Sequence, residues 1–179
     1  MIYIILSDGF EEIEALTPLD ILRRGGCNVK TVSLNNTEYV RGSHNILIAA
    51  DIKYDEMPDD IDMLVFPGGM PGSTNIDKSK KTDLLIEKAL RSNAHIAAIC
   101  AAPMILGKRG ILKGKKAVCY PGFEEYLLGA EVTNDRVVTD KNVTTAIGMG
   151  AALEFAHELL KISADEKTAD RIVGAVYPK

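Results

Sequence analysis

Short apolar runs recur along the chain, each closed by turn residues and followed by a stretch with apolar positions three or four apart. Ile2-Tyr3-Ile4-Ile5-Leu6 is the first such run, and Ser7-Asp8-Gly9 punctuates its end. Helical spacing follows from about Glu11 to Arg24, with Ile13, Leu16, Leu19 and Leu22 as the predicted inner stripe and Gly25-Gly26 as the stop. Further strands are predicted over 28–34, 62–66, 94–99 and 116–119, and further helices over 82–91, 103–106, 123–128 and 151–161. In the 82–91 helix, Leu84, Leu85, Ala89 and Leu90 form the expected inner face. Ser163, with Asp165 and Glu166 behind it, predicts the cap of a last helix running to about Val173. Two pairs of runs, 37–40 with 45–48 and 136–140 with 143–147, read as hairpins. Strands alternating with helices imply a mostly parallel sheet covered on both faces, and with no repeat or linker this is one α/β domain over 1–179.

Two places break the regular pattern. Pro18 falls inside the first helix and removes the N–H that would bond the Glu14 carbonyl. Either the helix kinks at Glu14, or Thr17 caps a fresh start with Pro18 as its first residue. Both place Glu14 beside an irregularity near the end of the first strand. The second place is Ala98-Ile99-Cys100-Ala101-Ala102-Pro103, a buried strand that turns directly into a helix opened by Pro103. Small residues either side of Cys100 suit a tight strand-to-helix elbow. A thiol at a helix N-terminus is expected to have a lowered pKa. A buried structural cysteine fits the same local pattern, and the elbow alone leaves both readings open.

Composition narrows the function classes. The 179 residues carry a net charge of −4 and no basic stripe, which gives no footprint for nucleic acid or anionic membrane. Lys78-Ser79-Lys80-Lys81 and Lys113-Gly114-Lys115-Lys116 read as solvated loops. Cys27, Cys100 and Cys119 are an odd number without a C-x-x-C pair, which points away from a disulfide scaffold and towards a reducing, cytoplasmic setting. No apolar run is long enough to cross a bilayer, and the first residues read as a strand rather than a leader.

Open α/β sheets place their sites at the carboxyl edge, and three stretches end strands there: Ser7 to Glu14, Pro67 to Gly72, and Cys100 to Pro103. Cys100 would supply the nucleophile, Glu14 a carboxyl able to move a proton, and the N–H groups of Gly69 and Ala101 an oxyanion cradle. Taken singly, Glu14 is an ordinary exposed helix residue and Pro67-Gly68-Gly69 an ordinary loop. The glycines match neither a dinucleotide fingerprint nor a P-loop, so no cofactor is expected. Among the histidines, His95 reads as structural, His157 as part of a solvated face, and His44 as a hairpin-turn residue within reach of a site or partner. None has metal-ligand spacing. Cys119 ends a strand near Cys100 and would resolve a sulfenic acid if the two met, but it reads first as a buried thiol.

Together, Gly9-Phe10-Glu11-Glu12-Ile13-Glu14, Pro18 with Asp20 and Arg23-Arg24-Gly25-Gly26, Phe66-Pro67-Gly68-Gly69, Ala98 to Pro103 and Thr144-Thr145-Ala146 resemble the DJ-one family of the ThiJ/PfpI superfamily. The resemblance implies a flavodoxin-like α/β sandwich, a homodimer, and a reactive, oxidisable Cys100 bonded by a protonated Glu14. It also implies Gly69 and Ala101 as backbone donors. Two functions follow from it. One is a cofactor-independent glyoxalase or deglycase acting on small carbonyls such as methylglyoxal; the other is a non-enzymatic redox sensor or protective chaperone in oxidative stress, with Cys100 as its sulfinic acid. One departure stands out: members for which the carbonyl reaction is proposed carry a histidine where this chain has Tyr120, and a phenol is a poor base at neutral pH. His44 is the candidate partial substitute. The protease-like members place a histidine directly after the cysteine; Ala101 stands there, so no peptidase is expected.

Overall fold

The structure, a computed structural model, describes residues 1–176. Seven strands form one sheet: β1 (Ile2–Leu6), β2 (Val29–Ser33), β5 (Ile52–Lys53), β6 (Met63–Phe66), β7 (His95–Ile99), β10 (Val137–Asp140) and β11 (Val143–Ala146), in the spatial order β10-β11-β7-β6-β1-β2-β5. All neighbours run parallel except the β10–β11 hairpin at one edge. A separate hairpin of β3 (Tyr39–Arg41) and β4 (Leu47–Ala49) and a small pair of β8 (Lys116–Ala117) and β9 (Glu131–Val132) complete the strands.

Residue alternation along each central strand sends side chains into two cores. Tyr3, Ile5, Leu64, Phe66, Ile96 and Ala98 face one layer, where α2 (Gly72–Lys78), α3 (Lys80–Arg91) and α4 (Pro103–Lys108) pack. Ile2, Ile4, Met63, Val65, Ala97 and Ile99 face the other, under α1 (Glu12–Arg24), α5 (Ala152–Ser163) and α6 (Glu166–Val176). The chain is thus the expected three-layer α/β sandwich.

Two helices turn differently from their predicted stripes. In α1 the buried face is Glu12, Glu14, Ala15, Pro18, Ile21 and Leu22, while Ile13 is 47% exposed. Two glutamates take core positions because each finds polar partners there, and this rotates the helix away from its simplest apolar stripe. In α3, Thr82 is buried with its hydroxyl donating to the Ile76 carbonyl at 2.6 Å, and Leu84 and Leu90 point outwards. Helix α1 runs unbroken through Pro18, which removes the fresh-start alternative. At α6 the capping side chain is Asp165, whose carboxylate accepts from the Thr168 N–H at 2.8 Å; Ser163 instead ends α5. Residues 124–126 form one 3-10 turn rather than a helix over 123–128.

Because β7, β6 and β1 are consecutive in the sheet, the loops at their carboxyl ends lie side by side. Those loops carry Cys100, Gly68-Gly69 and the approach to Glu14.

Candidate functional site

Cys100 follows β7 directly and adopts φ 64°, a left-handed conformation that costs a non-glycine residue about 1–2 kcal/mol. The elbow is held from both sides. The Cys100 N–H donates to the Ala146 carbonyl at 2.9 Å, and its own carbonyl accepts from the Tyr120 N–H at 2.8 Å. Ala102 N–H closes the turn on the Ile99 carbonyl at 3.1 Å. The backbone of the elbow is thus held on one side by the end of β11 and on the other by the loop that follows β8.

Glu14 meets it from α1. This carboxyl is fully buried; its Oε2 accepts from the Gly68 N–H at 2.9 Å, the Cys100 thiol and the Met149 backbone N–H lie beside it, and its Oε1 has no hydrogen-bond partner of good geometry. Gly68 must be a glycine, since a Cβ there would stand 2.5 Å from Glu14 Oε2 and 2.6 Å from the Cys100 Cβ. Gly69 has φ 86°, and its loop is pinned by the Glu11 N–H donating to the Gly68 carbonyl at 2.9 Å. The backbone N–H groups of Gly69 and Ala101 lie on the side of the Cys100 sulfur where they favour its thiolate form.

The electrostatics depart from one sequence expectation. Burial first, then the charge of Glu14, push the Cys100 thiol up to about 12, against the pull of the Ala101 and Gly69 N–H groups. The predicted lowering fails because α4 has only six residues, and its dipole is outweighed by the loss of water. Glu14 itself is pushed up to about 7 by burial, with the Cys100 and Gly68 contacts acting in the other direction. Thiol and carboxyl therefore shed one proton between them near neutrality and keep the second to high pH. A carboxylate appearing at about pH 7 beside a thiol is placed to take the thiol proton as the sulfur attacks.

The other candidates lie as follows. Tyr120 is 51% exposed at the mouth, tied to Cys100 through its backbone. His44 is not at the sulfur. Its Nδ1 lies 2.9 Å from Glu12 Oε2 and its N–H donates to Glu12 Oε1 at 2.8 Å, while Ser43 Oγ donates to Glu11 and Glu12 at 3.1 and 3.2 Å. This latch fastens the β3–β4 turn to the start of α1. Glu11, Glu12 and His44 bring possible ligand atoms within 4.8 Å of one another, a cluster that linear spacing hides because the hairpin lies 32 residues away. His95 Nε2 bonds Thr144 Oγ1 at 2.8 Å, and His157 Nε2 bonds Asp170 on α6 at 2.7 Å; both are structural. His157 thus lies against the last helix rather than on an open face. Cys119 is buried in the core layer opposite the one Cys100 touches, and burial pushes its thiol up to about 11. What sequence reasoning missed is α2, the Glu12 latch and the approach of the Met149 backbone to Glu14.

The profile of the DJ-1/PfpI family matches residues 1–162. Protein dj-1beta of Drosophila melanogaster is 34% identical over 172 residues, covering 94% of this chain and 92% of that one. Its crystal structure superposes with a TM-score of 0.94 over 98% of this chain and 96% of that chain, at 32% identity. Protein DJ-1 homolog B of Arabidopsis thaliana is 36% identical over 153 residues, 84% of this chain, and the chain spans about a third (35%) of that plant protein. A protein of Pyrococcus abyssi named a deglycase is 27% identical over 164 residues, covering 90% of this chain and 98% of that one. With the fold, the elbow and the near full-length matches in agreement, the chain belongs to the DJ-1/PfpI family.

Proposed function

We propose that the protein acts on small reactive carbonyls, as a cofactor-independent glyoxalase or deglycase, through Cys100 and Glu14. The observation that carries this reading is the strained Cys100 elbow with its sulfur between a buried carboxyl near pKa 7 and two backbone N–H donors. With methylglyoxal, the Cys100 sulfur adds to the aldehyde carbon and its proton passes through Glu14 to the aldehyde oxygen, giving a hemithioacetal and returning Glu14 to its carboxylate form. The N–H groups of Gly69 and Ala101 hold the oxygen as charge grows on it. Glu14, again a carboxylate, takes the proton from the former aldehyde carbon and returns it to the neighbouring carbonyl carbon while the hydroxyl proton passes to that carbon's oxygen, leaving a lactyl thioester that water hydrolyses to lactate and free thiol. The deglycase name of the Pyrococcus abyssi relative supports the same substrate class. Lactate formation by pure protein tests it. Wild type should turn over and Cys100→Ala should not; equal rates, or none above buffer, sink the proposal.

A second reading rests on the same carboxyl. Protonated Glu14 lies beside the thiol with one oxygen unpartnered and would donate a hydrogen bond to a Cys100 sulfinate formed with two equivalents of peroxide. Mass spectrometry after mild peroxide should find two added oxygens on Cys100 before Cys27 or Cys119. Oxidation of either of those first counts against it.

The protein is also proposed to pair with a second copy. Ile13, Leu16, Ile46 and Leu153 line a groove beside α1, and Ile13 and Ile46 are 47% and 50% exposed. Light scattering on the purified chain should give twice the monomer mass, and a monomer at micromolar concentration overturns the pairing. Among the described residues no helix is long and apolar enough to cross a membrane.

A further inference from the structure

The amino ends of β1, β6 and β7 lie side by side at the edge of the sheet opposite the Cys100 elbow. There they meet the carboxyl ends of α1 and α5 around a cavity of about 450 Å³, a size that takes a small molecule. Gly25, at the end of α1, packs directly on Leu160 of α5 with no space for a Cβ. Ile2, Met63 and Ile162 give the cavity apolar walls, and His95, the first residue of β7, faces it from the same side of the strand as Ala97 and Ile99. A chain of hydrogen bonds fixes where the His95 ring keeps its proton. Thr139 Oγ1 donates to Glu158 Oε1 at 2.9 Å. A hydroxyl has one proton, so Thr139 accepts from Thr144 Oγ1, 2.8 Å away, and Thr144 in turn accepts from His95 Nε2 at 2.8 Å. Nε2 therefore carries the proton, and Nδ1 is a bare acceptor with no partner among the described residues. Burial lowers the His95 pKa against the opposing charge of Glu158, which keeps the ring neutral at pH 7. The bond to Thr144 is structural; the nitrogen it leaves open serves nothing in the fold.

The surrounding groups are acceptors as well. Helix α5 closes with the Ala164 N–H donating to the Leu160 carbonyl at 2.9 Å, and the carbonyls of Lys161, Ile162 and Ser163 beyond it receive no hydrogen bond among the described residues. The negative ends of two helices thus meet at one cavity. The basic side chains of their last turns are drawn off to other carboxylates: Arg23 to Asp51 at 2.8 Å, Arg24 to Asp20 at 2.6 Å and Lys161 to Glu166 at 2.8 Å. The Met1 amine at the rim is taken up by Asp62. We propose that this cavity is a binding site for a small organic ammonium ion, which donates one N–H to His95 Nδ1 and others to the carbonyls at the end of α5, with its carbon arm against Ile2, Met63 and Ile162. Thr144 is a positioning residue, since its link through Thr139 to Glu158 keeps the ring proton on Nε2. The site shares no residue with the Cys100 centre and stands apart from the reaction proposed there.

The test uses the isotope-labelled full chain and long-range proton–nitrogen NMR of the imidazole rings, with His95→Phe identifying the His95 signals. Three probes of one shape and different charge are compared: benzylammonium, benzyl alcohol and benzoate. Without a probe, His95 should show a protonated Nε2 and a bare Nδ1. Benzylammonium should shift the Nδ1 resonance saturably, with a midpoint of about 1 mM, and should bind about tenfold tighter than the alcohol or benzoate. Thr144→Val should mix the two tautomers and weaken benzylammonium by about tenfold, a spectroscopic change that lost packing alone does not produce. His95→Phe should lose saturable binding by calorimetry while Cys100 alkylation keeps its wild-type rate. A proton on Nδ1 instead of Nε2, equal binding of the three probes, or unchanged benzylammonium binding in His95→Phe each overturns the site. The first two outcomes are read on the wild-type chain, so they decide the matter even if a variant fails to fold.

Discussion

Glu12 and Glu14 lie two residues apart in one turn of α1, both buried, and their surroundings drive them in opposite directions. Burial raises both. At Glu12 it is overcome by the His44 ring and by backbone N–H groups, including that of His44, which together bring the carboxyl down to about 2. At Glu14 burial wins over the Cys100 and Gly68 contacts, and the carboxyl rises to about 7. One carboxylate is locked into its charged form and fastens a loop. The other is balanced between its forms at neutral pH and faces a nucleophile. The difference is set by how many donors the fold brings to each, and it separates a structural acid from one fitted to move protons.

The largest expected effect is on chemistry. Glu14→Gln removes the base but keeps an oxygen for Gly68 N–H, and it should slow turnover and Cys100 alkylation by about 100-fold. Glu12→Gln should leave both within about threefold, since Glu12 does not touch the sulfur. In wild type, alkylation should rise with pH through about 7 as Glu14 ionises, and Glu14→Gln should erase that step. Rates measured by mass spectrometry across pH 5 to 9 (~4 units, enough to bracket one titration) check this.

Next in size is stability. A folded pKa of about 7 against an unfolded value near 4.5 means that the native state holds its Glu14 proton more tightly. That stabilisation is present below the unfolded value and is lost as pH rises through the folded one, a swing of about 3 kcal/mol. Urea unfolding should therefore show Glu14→Gln more stable than wild type at pH 8, with the gap closing by pH 4. Glu12 has the opposite sign. Its contribution is present above the usual carboxylate value and disappears as pH falls towards about 2. Glu12→Gln should cost about 2 kcal/mol at pH 7, because a charged acceptor of several hydrogen bonds is lost.

His44→Ala should have the smallest effect. The imidazole is largely exposed, and Glu12 keeps the His44 backbone N–H and the Ser43 hydroxyl. Carboxyl NMR titration should show the Glu12 midpoint moving up while that of Glu14 stays in place. Coupled movement of both would break the separation drawn above.

Much of this was readable in the chain before folding. Cys100, Gly68-Gly69 and Glu14 end up together because strand and turn patterns are local, and the carboxyl edge of a parallel sheet follows from them. Helix α2 was not readable, because Gly72-Ser73-Thr74-Asn75 opens it without an apolar stripe and only Ile76 is a buried hydrophobe. The rotation of α1 was hidden for a related reason: a pattern that counts apolar residues cannot assign core positions to glutamates. The latch on Glu12 depends on a hairpin 32 residues away. The direction of the Cys100 shift depends on lost water, which no linear spacing reports.

The left-handed backbone at Cys100 and the half-ionised carboxyl beside it are both states that a folded chain would shed if free to do so. Relaxing either, by Cys100→Gly or Glu14→Gln, should give a protein that withstands denaturant better at pH 8 and has lost most or all of its reactivity. Selection for durability alone would therefore remove the site. Its presence means that usefulness has outweighed robustness at these positions, and an engineer seeking a tougher version should leave both alone and look for stability in α3 and α6.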